Sequence, residues 1–154
     1  MKAEYINPFL ESVELLFVNM LGCAATRGKL ATSRGSASPF EVTALIGMSG
    51  PTRGTVSLSF PAATAAAMVG RLMGSGAVDN DETLIDGVSE LVNIVAGGAK
   101  SKLSAGAGTV IDLSLPTVIR GKDFQCRGPS QAIWLDIPFA SELGEFCVRV
   151  TFAQ

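Results

Sequence analysis

No histidine occurs anywhere in the 154 residues. That absence removes Ser-His-Asp and Cys-His triads, histidine-ligated zinc or iron, and haem held by histidine. Charge is also sparse: 17% of residues are charged, against roughly 25% in an average soluble domain. The 12 basic and 14 acidic residues leave a net charge of −2 with no basic tail or run, which excludes nucleic acid as a main ligand, because phosphate-backbone affinity rests on clustered Lys and Arg. No stretch approaches the roughly 20 uninterrupted apolar residues of a membrane span. The start, Met1-Lys2-Ala3-Glu4-Tyr5, carries an early acid and no apolar segment of the kind a signal peptide needs. Three cysteines, Cys23, Cys126 and Cys147, lie far apart without a C-x-x-C pair. An odd, scattered count reads as reduced thiols, and without histidine none has an activating base. A cytoplasmic protein with no metal or cofactor bound to its own chain is expected.

What the chain has instead is apolar material, 47% of its residues, enough to fill the core of one domain over residues 1–154. Ile6, Phe9, Leu10, Val13, Leu16, Phe17, Met20 and Leu21 recur at helical steps, and Gly22 stops that helix. The Gly/Ser/Thr/Ala-rich stretch from Ala25 to Pro39 reads as a loop, with one short edge strand around Leu30. Phe40 to Gly50 and Thr55 to Phe60 are β-prone on either side of the turn Gly50-Pro51-Thr52-Arg53-Gly54, which predicts an antiparallel hairpin. Pro61 opens an alanine-rich helix from Ala62 to about Met73. A second helix starts at the acidic Asp79-Asn80-Asp81-Glu82 and runs to about Ser104. Three strands follow, near Val110–Leu115, Ala132–Phe139 and Phe146–Phe152, the last alternating most cleanly. Helix, hairpin, two helices and three strands predict an α+β fold with helices packed on a largely antiparallel sheet. The alternating C-terminal strand is a candidate sheet edge.

The long helix carries the chemistry. At 100° per residue, Leu84, Ile85, Val88, Leu91, Val92, Val95, Ala99 and Leu103 gather on one arc, the core face. Asp86, Glu90, Asn93 and Gly97 fall within about 60° of one another on the far side. Glu90 and Asn93 are one turn apart and can reach one target together. Gly97 leaves the stripe bare above them. Five acids lie between Asp79 and Glu90, and no base between Arg71 and Lys100. Periodicity by itself also fits an ordinary solvated face. Gly97-Gly98-Ala99-Lys100-Ser101 lacks the spacing of a phosphate loop and sits inside a helix.

Three stretches together resemble the CheX/CheC/FliY family of chemotaxis phosphatases, and most of all its CheX branch. They are Ile46-Gly47-Met48-Ser49-Gly50 with Gly54-Thr55-Val56-Ser57-Leu58-Ser59-Phe60-Pro61; Glu90-Leu91-Val92-Asn93-Ile94-Val95-Ala96-Gly97, which matches the family's E-x-x-N signature on a long helix; and Leu115-Pro116-Thr117-Val118-Ile119 with Gly121. The opening helix with Asn7-Pro8-Phe9 is similar in style, so the likeness spans nearly the whole chain. Two departures stand out. Gly98 occupies a position where CheX-like chains often carry asparagine, and the first helix offers Glu11-Ser12-Val13-Glu14 in place of the second E-x-x-N of CheC-like members.

The resemblance implies a CheC-like fold, a homodimer, and a phosphorylated CheY-like response regulator as partner. Its aspartyl phosphate would be the substrate, and the Mg²⁺ required would sit in the receiver's own active site. Hydrolysis then calls for in-line placement of a water rather than for covalent help. The amide of Asn93, both donor and acceptor, is suited to orient that water. Glu90 would pair with the receiver's lysine and set the register, with Asp86 a bystander or a modulator of docking. The alternatives are a module that binds a phosphorylated receiver or a flagellar switch component without hydrolysis, and a scaffold in which the E-x-x-N stripe is plain surface.

Overall fold

The structure, a computed structural model, describes residues 3–34, 39–51, 53–108, 110–121 and 133–152. Thr52, Cys126 and Ala132, which figure in the sequence expectations, lie outside them. The chain opens with helix α1 (Ala3–Leu16), continued by a π turn over Phe17–Leu21. Strands β1 (Ala25–Arg27), β2 (Ala31–Ser33), β3 (Val42–Ser49) and β4 (Gly54–Phe60) follow, then helices α2 (Ala62–Leu72) and α3 (Asp81–Ala107). Strands β5 (Asp112–Leu113), β6 (Thr117–Arg120), β7 (Trp134–Ser141) and β8 (Gly144–Phe152) complete it. The strands form one sheet in the order β1-β7-β8-β4-β3-β5, with β2 also on β7 and β6 also on β3. Every pairing among the described strands is antiparallel. The α+β expectation holds.

Alternation decides which face meets the helices. Val42, Ala44, Ile46 and Met48 of β3, Val56, Leu58 and Phe60 of β4, and Phe146, Val148 and Val150 of β8 are buried in the one core with α1, α2 and α3. Their neighbours Thr43, Ser57, Ser59, Cys147, Arg149 and Thr151 point to the other face. Phe146 stacks on Phe17, Phe139 and Phe60 at centroid distances of 5.4, 5.3 and 5.8 Å, which ties the π turn to the sheet. No helix among the described residues is long and apolar enough to cross a membrane.

Several expectations are corrected. The C-terminal strand is not an edge: β8 pairs with β7 on one side and β4 on the other. Its clean alternation reflects a central strand with an apolar and a polar face, both covered. Met20 is 51% exposed rather than buried, because the π turn inserts an extra residue per turn and swings it out while Leu21 stays inside. Leu30 lies between two three-residue strands, not within one. The strand expected over Val110–Leu115 shrinks to Asp112–Leu113, and a separate strand, β6, forms beyond Pro116 on the edge of β3. Helix α2 starts at Ala62, as expected, with Pro61 just before it, and Glu41 Oε1 accepts from the Ala62 N–H at 2.7 Å. Helix α3 continues past Ser104 to Ala107, where Gly108 closes it in the left-handed conformation (φ 66°).

Candidate functional site on the long helix

Helix α3 starts where its sequence says it should. Asn80 Oδ1 accepts from the Thr83 N–H at 3.0 Å, and Asp81 and Glu82 occupy the first turn, at the positive end of the dipole. Asp81 also forms an ion pair with Arg120 of β6, which pins the helix start to the sheet edge. Leu84, Val88, Leu91, Val92, Val95, Ala99 and Leu103 are all buried as expected, and Ile85 is half-buried at the margin of that face.

The opposite stripe reaches solvent. Asp86, Glu90 and Asn93 are exposed, and α3 brings them to one face as the spacing requires. Glu90 and Asn93 are separated by about 4.5 Å of helix rise. Beyond them the helix is bare, since a Cβ built on Gly97 would meet nothing within 4 Å. Among the described residues, packing gives no reason for a glycine at 97. The missing side chain leaves the backbone open to close approach.

The next residue is a different case. A Cβ on Gly98 would collide with Ser12 Oγ of α1 and lie 3.2 Å from Ser12 Cβ. The Ser12 hydroxyl, itself buried, donates to the Val95 carbonyl at 2.8 Å, with the Ile94 carbonyl at 3.4 Å. Gly98 is thus matched to Ser12, a residue that sequence reasoning passed over. The available signal was a serine in the core phase of α1, between Phe9 and Val13. On the same helix Glu11 pairs with Lys102 at 3.2 Å and Glu14 is exposed, and no E-x-x-N is formed there.

The site is a convex helix face. An open cleft of about 340 Å³ does exist, lined by Lys29, Ala31, Ser33, Pro39, Asp136, Pro138, Cys147 and Arg149. It lies on the sheet face turned away from the helices. Its Cys147 is no nucleophile: burial, and then the Asp136 carboxylate, push the thiol up to about 11, with Arg149 opposing. Cys23 is likewise raised, first by burial and then by its hydrogen bond to Glu142. Among the described residues no three Cys, Asp or Glu side chains converge to hold a metal ion. Two exposed polar side chains on a convex helix cannot enclose a small molecule, so any target of theirs would have to bring its own recess.

Comparison with known proteins follows the same line. The family described as "Chemotaxis phosphatase CheX" matches residues 42–140, a span that includes Glu90 and Asn93. The CheY-P phosphatase CheX of Thermotoga maritima is 29% identical over 143 residues, covering 92% of each chain. A crystal structure of a CheC-like superfamily protein from Shewanella sp. PV-4 is 31% identical, with a TM-score of 0.88 over 100% of both chains. The same fold recurs, at 24% identity and a TM-score of 0.76 over 97% of this chain and 98% of the other, in a CheX-CheY-BeF3-Mg²⁺ complex from Borrelia burgdorferi.

Proposed function

We propose that the chain, which belongs to the CheX family of chemotaxis phosphatases, hydrolyses the aspartyl phosphate of a CheY-like receiver domain, with Glu90 and Asn93 as its working residues. One observation carries this reading beyond family membership. Glu90 and Asn93 stand exposed on a convex helix beside the bare Gly97, a shape that enters a recess on another protein instead of forming one. A receiver's phosphoryl group lies in such a recess, already neutralised by that protein's Mg²⁺ and lysine.

What the receiver needs is a fixed nucleophile. Glu90 docks on the receiver's lysine and sets the register of α3. The Asn93 amide then accepts from and donates to a water in line with the phosphorus. The water oxygen forms a bond to phosphorus, the bond from phosphorus to the aspartyl oxygen breaks, and the leaving electron pair stays on the receiver's carboxylate. The water's proton goes to the released phosphate or to bulk solvent. Magnesium is required through the receiver, not through this chain. Asp86, one turn before Glu90, adds negative charge to the docking face.

The homodimer implied by the family likeness belongs to the same proposal. With β8 interior, the outer strands among those described are β1 and β2 at one end of the sheet and β5 and β6 at the other. Sedimentation at tens of micromolar, a range set by ordinary interface affinities, should show a dimer, and a monomer there removes that part.

The test is phosphate release from a panel of phosphorylated receivers with this protein at catalytic amounts. Multiple turnovers on at least one receiver are expected. Stoichiometric protection of the phosphoryl group instead identifies a binding module, and no effect on any receiver identifies a scaffold.

A further inference from the structure

We infer that Ser12 and Gly98 form a positioning pair that sets where α3 presents Asn93, an inference that rests on the reading of Asn93 given above. Three observations meet at one point of the α1–α3 contact. Ser12 is 4% exposed, so its hydroxyl has left water for a partner in the protein. That partner is the backbone of α3 at Val95, with Ile94 within reach, the two residues immediately after Asn93. Directly below, Gly98 has no side chain, and any Cβ there would run into Ser12 Oγ.

The physical consequence is a helix held by both attraction and shape. A hydroxyl bonding a carbonyl inside another helix needs the two backbones unusually close, and only glycine at 98 permits that closeness. The contact falls on the α1-facing side of α3, about 140° round the helix from Asn93 at 100° per residue. Pushing α3 off α1 therefore carries Asn93 outward and tilts its amide. The distance along the axis is short, about 7.5 Å from residue 93 to 98, so little of the displacement relaxes before it reaches the site. Positioning of a nucleophile is sensitive on this scale: a shift of about 1 Å can lower a rate on the order of 10²-fold. Gly97 next door faces open space, so the collision with α1 belongs to position 98 and not to its neighbour.

Ser12 and Gly98 do not touch the substrate, so their effect is on presentation, and turnover should change more than binding. With the receiver turned over fastest in the panel, Gly98→Ala is expected to lower kcat about tenfold or more while KM stays within about threefold. Ser12→Gly, which removes the hydroxyl anchor and leaves a gap, should lower kcat a few-fold. Combining Ser12→Gly with Gly98→Ala lets the new methyl occupy the vacated space, and kcat should recover most of what Gly98→Ala lost. Circular dichroism at the assay temperature should show every variant fully folded. A purely structural role predicts activity that follows the folded fraction in every variant, with kcat per folded molecule unchanged. A folded Gly98→Ala with wild-type kcat overturns the pair, as does a double variant no better than the product of the single effects. Asn93→Ala run in parallel separates the two levels. Loss of turnover there with Gly98→Ala unaffected refutes only the pair, whereas wild-type turnover in Asn93→Ala refutes the reading on which the pair rests.

Discussion

Arg149 of β8 donates from Nε to Asp136 Oδ1 of β7 at 2.7 Å, with its side chain only 6% exposed. The two residues are direct cross-strand partners, Nη2 also donates to Ser33 Oγ at 3.1 Å, and the guanidinium lies 4.8 Å from the Trp134 ring centroid. A buried guanidinium held this way depends on its carboxylate. Asp136→Ala should lower unfolding free energy by about 3 kcal/mol, because it takes the principal counter-charge from a buried cation. Replacing both partners by apolar residues, Asp136→Leu with Arg149→Met, should lower it far less. Urea titration reads both. The cluster sits on the sheet face opposite α3, so kcat of the folded variants should not change.

Cys147 adjoins that pair, and its raised thiol predicts a stability loss in alkali. Unfolded, the thiol ionises near its ordinary value of 9.0; folded, burial holds the proton to about 11. Between those values the folded state binds more protons, so stability falls as pH rises through that window. From pH 8.5 to 10.5 the wild type should lose roughly 2 kcal/mol more than Cys147→Val. Equal losses would show that the thiol ionises no later in the folded chain than in the unfolded one.

Gly97 should separate stability from function. Because a Cβ at 97 meets nothing, Gly97→Ala should raise stability by up to about 1 kcal/mol through helix propensity alone. On the docking proposed above, a bulky residue there stands in the receiver's path, and Gly97→Leu should raise KM about tenfold or more with the fold intact. Unchanged KM would mean that no partner surface comes close at this turn.

Much of this was legible in the sequence, for local reasons. The faces of α3, the β3–β4 hairpin and the alternation in β8 follow from periods of 3.6 and 2, which burial on one side enforces. The illegible parts depend on contacts distant in the chain. Strand β6, four residues long and directly after Pro116, exists because β3 offers it an edge. That β8 is central follows from pairing with β4, more than eighty residues earlier, and no local pattern shows it. In the site, Glu90 and Asn93 stood out as a stripe, but a stripe of Glu and Asn is also what plain surface looks like, and the family likeness gave it meaning. Nothing local in the sequence marks Ser12, because its partners at 94, 95 and 98 lie on another helix.

Glu90 and Asn93 should fail differently when removed. Glu90→Ala deletes the docking contact proposed with the receiver's lysine, and is expected to raise KM with a smaller loss in kcat. Both residues are exposed and clear of the core, so neither variant opens a cavity, and melting temperatures should stay near wild type. A Glu90→Ala enzyme with unchanged KM removes Glu90 from the interface.

The most direct measurement is single-turnover hydrolysis of the phosphorylated receiver by excess wild type, Asn93→Ala and Asn93→Asp. Loss of one hydrogen bond made to the transition state lowers a rate on the order of 10²–10³-fold, and both variants should slow by that much while still binding the receiver. Asn93→Asp keeps the size, but loses the N–H donor and brings a negative charge towards the phosphoryl group. Wild-type rates in both variants would contradict a water-orienting role and leave Asn93 as plain surface.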